Sequence, residues 1–243
     1  MIAVLDYGAG NVGSVMKAIR YLGYPAEAIS EPEQLAQSAK LILPGQGHFG
    51  AMMKRLRERN ALAPLREAIA AGKPFLGICL GLQALFEASE EAPEEAGLGL
   101  LAGKVRRFEG VFKVPHVGWS QLEIATSAKT LRGIPAGSFT YFCHSYYAPI
   151  TPQTSAVTEY GQAFSAVIEE DSLVAVQFQL EAAKQPLRAR LPLQQQPRRR
   201  GVAGVGDDAY RVPGVALPAI GERAPLHDDC DLNSRRLHTR QLY

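Results

Sequence analysis

Short apolar runs separated by stretches of helical period organise the first part of the chain. Residues 2–5, 41–43 and 74–79 are almost entirely apolar at successive positions. That pattern buries both faces of a strand and belongs to parallel sheets covered on either side. Residues 14–22, 31–38, 50–59 and 62–71 space their apolar side chains for a helix, and the first of these helices stops at Gly23. A further helix-like run covers residues 80–88. Strands alternating with helices predict an α/β fold with a mostly parallel sheet, whose ligand site lies in the loops beyond the strands' C-terminal ends. Residues 87–95 are acidic and predict a solvated loop or helix end. Beyond them the pattern shortens to strand-like pieces at 114–119 and 139–147, with a hairpin of 163–168 and 173–178 around Glu169, Glu170 and Asp171. These pieces predict an antiparallel addition to the sheet within one domain.

The run at 74–79 ends on Cys79. Gly77 and Gly81 flank it two residues away on either side, the thiol counterpart of the G-x-S-x-G nucleophile elbow. Such an elbow holds the nucleophile's backbone in a strained turn, and a side chain at either flank would strike the strand or helix packed beside it. A cysteine at a helix N-terminus also meets the partial positive charge that favours thiolate over thiol. The competing reading is a packing cysteine, since Cys is among the most buried residue types. Paired glycines between a strand and a helix favour the nucleophile.

Pro44-Gly45-Gln46-Gly47 follows another predicted strand, and its glycines leave backbone N–H groups free to approach a ligand. Gly8, Gly10 and Gly13 match the G-x-G-x-x-G dinucleotide pattern formally. No acidic residue ends a second strand about 20 residues on, Glu27 coming too early, so nucleotide binding is not expected. His116 and His144 are candidate acid–base groups, but each sits beside large aromatics and reads as structural.

Composition narrows the class. A chain of 243 residues, 47% hydrophobic, can bury one large core or two small ones. No apolar run approaches the roughly 20 residues that span a bilayer, and the first residues lack the charged start and long apolar core of a signal peptide. A cytoplasmic protein without membrane contact is expected. Cys79, Cys143 and Cys230 are too widely spaced to suggest a disulfide framework or a zinc site, and neither metal nor cofactor is expected. The net charge of +2 averages two unlike segments: residues 1–181 hold 15 basic against 18 acidic residues, and residues 182–243 hold 11 against 6. The basic segment has no interleaved aromatics and no nucleic-acid module, so nucleic acid is not an expected partner.

Five separated motifs carry a resemblance: Asp6-Tyr7-Gly8-Ala9-Gly10-Asn11, Pro44-Gly45-Gln46-Gly47, the Cys79 elbow with Gln83, Pro115-His116-Val117-Gly118-Trp119 and Tyr141-Phe142-Cys143-His144-Ser145-Tyr146-Tyr147. In this order, over residues 1 to about 178, the chain resembles the class I glutamine amidotransferases, more narrowly the glutaminase subunits of imidazole glycerol phosphate synthase. The resemblance implies a three-layer, flavodoxin-like fold with a mostly parallel sheet and an antiparallel addition. It implies that Cys79 attacks the side-chain amide of L-glutamine, forms a glutamyl thioester and releases ammonia. The ammonia would pass through a tunnel to a cyclase subunit, a (β/α)8 barrel held in a heterodimer. There it would serve histidine biosynthesis, yielding imidazole glycerol phosphate and aminoimidazole carboxamide ribonucleotide. By the same resemblance Gly45, Gly47 and the Leu80 N–H supply the oxyanion hole, Gln83, Ser145 and Tyr146 hold the glutamine, and the region near Trp119 faces the cyclase. The chemistry agrees on the oxyanion hole, which needs one donor after the nucleophile and one from a neighbouring loop.

The family completes its triad with a His-Pro-Glu run after a late strand, where this chain reads Gln179-Leu180-Glu181. Glu181 occupies the acid's place. Gln179 occupies the histidine's, and it has no titratable group with which to take the thiol proton or protonate departing ammonia. The alternative reading is therefore an impaired relative that binds the cyclase without supplying ammonia. After Glu181 come 62 residues without helical or strand period, in which ten Arg follow a single Lys, Lys184, whereas residues 1–181 hold seven Lys and eight Arg. The break divides the chain into an amidotransferase domain at 1–181 and an atypical Arg/Pro/Gln-rich tail at 182–243. That tail reads as the product of a shifted frame beginning near Gln179, or as a disordered extension.

Overall fold

The structure, a computed structural model, describes residues 1–179. The expectations for Glu181, for Cys230 and for the tail lie outside the described residues.

The predicted alternation is realised as β1 (Ile2–Leu5), α1 (Val12–Tyr21), β2 (Ala26–Ile29), α2 (Pro32–Gln37), β3 (Lys40–Gly45), α3 (Phe49–Glu58), α4 (Leu62–Ala70) and β4 (Phe75–Cys79). Local chemistry sets several boundaries. The Asn11 side chain accepts from the Ser14 N–H at 3.3 Å to open α1, and Gly23, at φ 80°, takes the left-handed conformation after it. Glu31 and Gln34 form a reciprocal capping box at the start of α2.

The rest of the described chain is strand-rich: α5 (Leu80–Gln83), β5 (Phe86–Ser89), β6 (Leu101–Arg107), β7 (His116–Gln121), β8 (Glu123–Ile124), β9 (Phe139–His144), β10 (Tyr146–Tyr147), β11 (Thr154–Glu159), β12 (Ala163–Glu170) and β13 (Leu173–Val176). The main sheet has eight strands in the order β2-β1-β3-β4-β13-β12-β11-β8. Its first five run parallel, and β12, β11 and β8 extend it antiparallel. The hairpin expected around Glu169, Glu170 and Asp171 is the β12–β13 turn, with Asp171 at φ 50°.

Period-two alternation explains why the central strands read as continuous apolar runs. Ala3, Leu5, Leu41, Leu43, Leu173 and Ala175 point into the core shared with α2, α3 and α4. Val4, Ile42, Ile78 and Val176 point into a second core, beneath α1 and a group of aromatic rings. The sheet is thus the middle of three layers.

Two expectations are corrected. The helix predicted over residues 80–88 is one turn long, because residues 97–101 run alongside and claim the backbone: Leu98 N–H donates to Ala84 O at 2.7 Å and Gly97 N–H to Glu87 O at 2.9 Å, and Phe86 pairs with Leu101 in a β5–β6 ladder. Gly97 permits this approach, since a methyl group there would overlap the Phe86 carbonyl oxygen. The strand predicted over 139–147 breaks at Ser145, whose carbonyl accepts from the Phe108 N–H. The two pieces enter different sheets, β9 with β7 and β10 with β6. The antiparallel material is accordingly only partly an addition to the main sheet.

Candidate active site

β1, β3, β4 and β13 run parallel, so their C-terminal ends share one edge of the sheet, and each delivers a site segment there. After β1 comes Asn11, after β3 Gln46 and Gly47, at the end of β4 Cys79, and after β13 Gln177 and Gln179. Between β1 and β3 the strand order reverses, which opens a crevice at that edge. A cavity of about 550 Å³ occupies it, lined among others by Gln46, Gly47, Cys79, Leu80, Gln83, Ser145, Tyr146 and Gln179.

Cys79 sits at φ 54°, ψ −106°, a conformation that L residues rarely adopt. Three glycines make the turn possible. A methyl group on Gly77 would lie 2.8 Å from the Gly81 carbonyl oxygen, one on Gly81 would overlap the Leu43 carbonyl oxygen, and one on Gly45 would overlap the Gly81 nitrogen. Gly45 pairs with Cys79 in the β3–β4 register. Its place is beneath the elbow as a close-packing residue, whereas Gly47, at φ 97°, lies on the cavity wall.

Gln83 is buried, and its Nε2 donates to Tyr146 O at 2.7 Å and to Gln177 Oε1 at 3.2 Å. Gln177, also buried, directs its Nε2 at the Cys79 sulfur, 3.6 Å away. Sequence reasoning missed Gln177, because a lone glutamine inside an apolar strand carries no local signal. Gln179 lines the cavity, and its N–H donates to Tyr141 O at 2.9 Å.

Both histidines are core groups. β7 and β9 pair antiparallel with His116 opposite His144, and alternation sends these two inward with Ser120 and Phe142 while Val117, Trp119 and Cys143 face outward. His116 Nε2 pairs with Ser120 Oγ at 2.9 Å, and its ring stacks on Tyr160 and Phe142. His144 Nδ1–H donates to Tyr146 O at 2.8 Å. Burial pushes His116 down to about 4, and burial together with neighbouring His116 pushes His144 down to about 3, so both are neutral at physiological pH.

Of the formal dinucleotide pattern, Gly8 and Gly10 take positive φ and Gly13 does not. A methyl group on Gly13 would meet nothing, so the third glycine answers no packing need, and the Asp6 and Gly8 carbonyls accept from Arg59, just after α3, and Arg55 of α3. Among the described residues no cluster of His, Cys, Asp and Glu could hold a metal ion, and no helix is long and apolar enough to cross a membrane.

A cysteine on a strand-to-helix elbow, at the switch point of a parallel sheet and facing a cavity, is an arrangement that suits thiol acyl transfer. A family model described as glutamine amidotransferase class-I matches residues 3–195. Two curated relatives are each named imidazole glycerol phosphate synthase subunit HisH. The one from Moorella thermoacetica is 45% identical over 184 residues, covering 74% of this chain and 87% of its own length. The one from Aquifex aeolicus is 45% identical over 186 residues, covering 74% and 89%. A solved glutamine amidotransferase shares the fold, with a TM-score of 0.60 and 21% identity over 74% of this chain and 90% of its own. The chain belongs to the class I glutamine amidotransferases, within the family of HisH subunits.

Proposed function

We propose that this chain is the glutaminase subunit of imidazole glycerol phosphate synthase, a cytoplasmic protein that forms a heterodimer with the cyclase subunit. It hydrolyses L-glutamine and passes ammonia to that partner. The observation that carries the reading is the Cys79 elbow, facing a cavity at the edge where four parallel strands end.

In the reaction the Cys79 sulfur attacks the amide carbon of glutamine and a C–S bond forms. The carbonyl oxygen becomes an oxyanion, received by the Leu80 N–H and the backbone of Gly47 just after β3, with Gly45 packed beneath the elbow. Collapse of the tetrahedral intermediate expels ammonia, and water then cleaves the thioester to glutamate and free thiol. Gln83, Ser145 and Tyr146 form the wall that holds the glutamine. Gln179 can neither accept the thiol proton nor protonate the leaving nitrogen, so both protons pass through water and turnover is slow.

The test is glutamine hydrolysis by the full chain with the purified cyclase subunit present. Restoring the base with Gln179→His is expected to raise turnover by ~10²–10⁴-fold. Rapid turnover by the chain as it stands would remove the claim that Gln179 impairs it. No turnover by either form, with a variant that stays silent, would show that the sequence after Glu181 limits the activity more than position 179 does.

A further inference from the structure

The hydrogen bonds linking the Tyr146 carbonyl, Gln83, Gln177 and Cys79 have one possible direction. The Tyr146 carbonyl can only accept, so the Gln83 group 2.7 Å from it must be the amide nitrogen. The second N–H of that nitrogen faces Gln177, 3.2 Å away, which must therefore present its oxygen. With its oxygen committed, Gln177 has only its NH2 group left to turn toward Cys79, and the 3.6 Å contact to the sulfur is an N–H donor directed at an acceptor. A neutral thiol is a weak acceptor and a thiolate a strong one, so such a donor favours the ionised sulfur. The two glutamines are buried, 3% and 0% exposed.

We propose that Gln177, oriented by Gln83 and the Tyr146 carbonyl, holds the Cys79 sulfur in place and stabilises its thiolate, an electrostatic role performed without a titratable group. This rests on the reading of Cys79 as the reacting thiol. The role matters here because α5 is a single turn and position 179 holds no base, which leaves the Gln177 donor as a fixed source of positive potential at the sulfur.

The other titratable groups near the sulfur are common to the wild type and the variants. His144, at about 3, and Tyr7, pushed up to about 12 chiefly by burial, both stay neutral from pH 5 to 10. Glu91 on the cavity wall accepts the Phe49 N–H at 2.7 Å. Tyr141 and Tyr146 line the wall as well.

The experiment is the pH dependence of Cys79 alkylation by iodoacetamide in the full chain, read by peptide mass spectrometry so that Cys143 and Cys230 are scored separately. In Gln177→Met, which keeps the length and loses the donor, the alkylation midpoint is expected to rise by about one pH unit, an about tenfold slower reaction at pH 7. Gln177→Glu, which puts a carboxylate against the sulfur, is expected to raise it further, and it carries the test if the Met variant does not fold. An unmoved midpoint in either folded variant overturns the inference. Protection of Cys79 by L-glutamine is measured in the same samples. Protection with an unmoved midpoint overturns this inference and leaves the glutaminase reading standing; a raised midpoint without protection supports the inference and counts against the glutaminase reading.

Discussion

At the scale of single residues, Cys79 shows what a strand-to-helix elbow costs the fold. Its positive φ lies where a β-carbon is crowded, a conformation that stores about 1–3 kcal/mol. Removing the sulfur by Cys79→Ala leaves that strain in place, and Cys79→Gly relieves it. The glycine variant is expected to be the more stable of the two by about 1 kcal/mol in urea unfolding, the reverse of the usual order inside regular structure. Equal stabilities would mean that the backbone at the elbow carries no strain. The glycines around it act oppositely: each is fixed by a neighbouring carbonyl or amide, and none has room for a methyl group.

At the scale of elements, the acidic stretch 87–95 has a structural part that its sequence did not reveal. Glu91 reaches back across 42 positions to accept the Phe49 N–H at the start of α3, beside His48, whose Nδ1 accepts from the Gly50 N–H at 3.1 Å. Glu95 pairs with Arg57 near the other end of the same helix. α3 in turn holds the Asp6–Gly8 turn through Arg55 and Arg59, so the acidic stretch supports one wall of the site indirectly. Glu91→Ala is expected to cost about 1 kcal/mol, as for the loss of a helix cap, and Glu91→Gln less because it keeps an acceptor. Thermal unfolding of the two variants checks the order.

At the scale of the whole molecule, the paired histidines link stability to pH. Both are depressed below the 6.5 of a free histidine, so the unfolded chain takes up protons that the folded chain refuses until about pH 4 and pH 3. Their contribution is complete above about pH 6.5 and is lost as pH falls from there through those values. At pH 5 each histidine is expected to have cost about 2 kcal/mol relative to pH 8. Urea unfolding at the two pH values measures the sum, and His116→Phe should remove about half of the slope. The outward face of the same β7–β9 ribbon leaves Val117, Trp119 and Phe139 exposed at 36%, 40% and 44%, a patch suited to the proposed cyclase partner. Trp119→Ala is expected to weaken that complex by about 2 kcal/mol, roughly 30-fold in Kd by titration calorimetry, with the proposed glutamine site untouched.

The parallel α/β frame and the Cys79 elbow were legible in the sequence because their causes are local. An apolar run needs both faces covered, and the tight strand-to-helix turn admits only glycine at its flanks. The Gln46–Gly47 turn and the inward histidines were legible for the same reason, through strand ends and aromatic neighbours, whereas Gly45 proved to be a packing residue of β3. Whatever depends on a partner far along the chain was settled by tertiary structure. The helical period of residues 80–88 yielded to the strand that Gly97 admits alongside it. The 139–147 strand was divided between two sheets by pairing with residues 106 and 107. Gln177, 98 positions from Cys79, carries no motif of its own, and only the parallel pairing of β13 with β4 brings its amide to the sulfur.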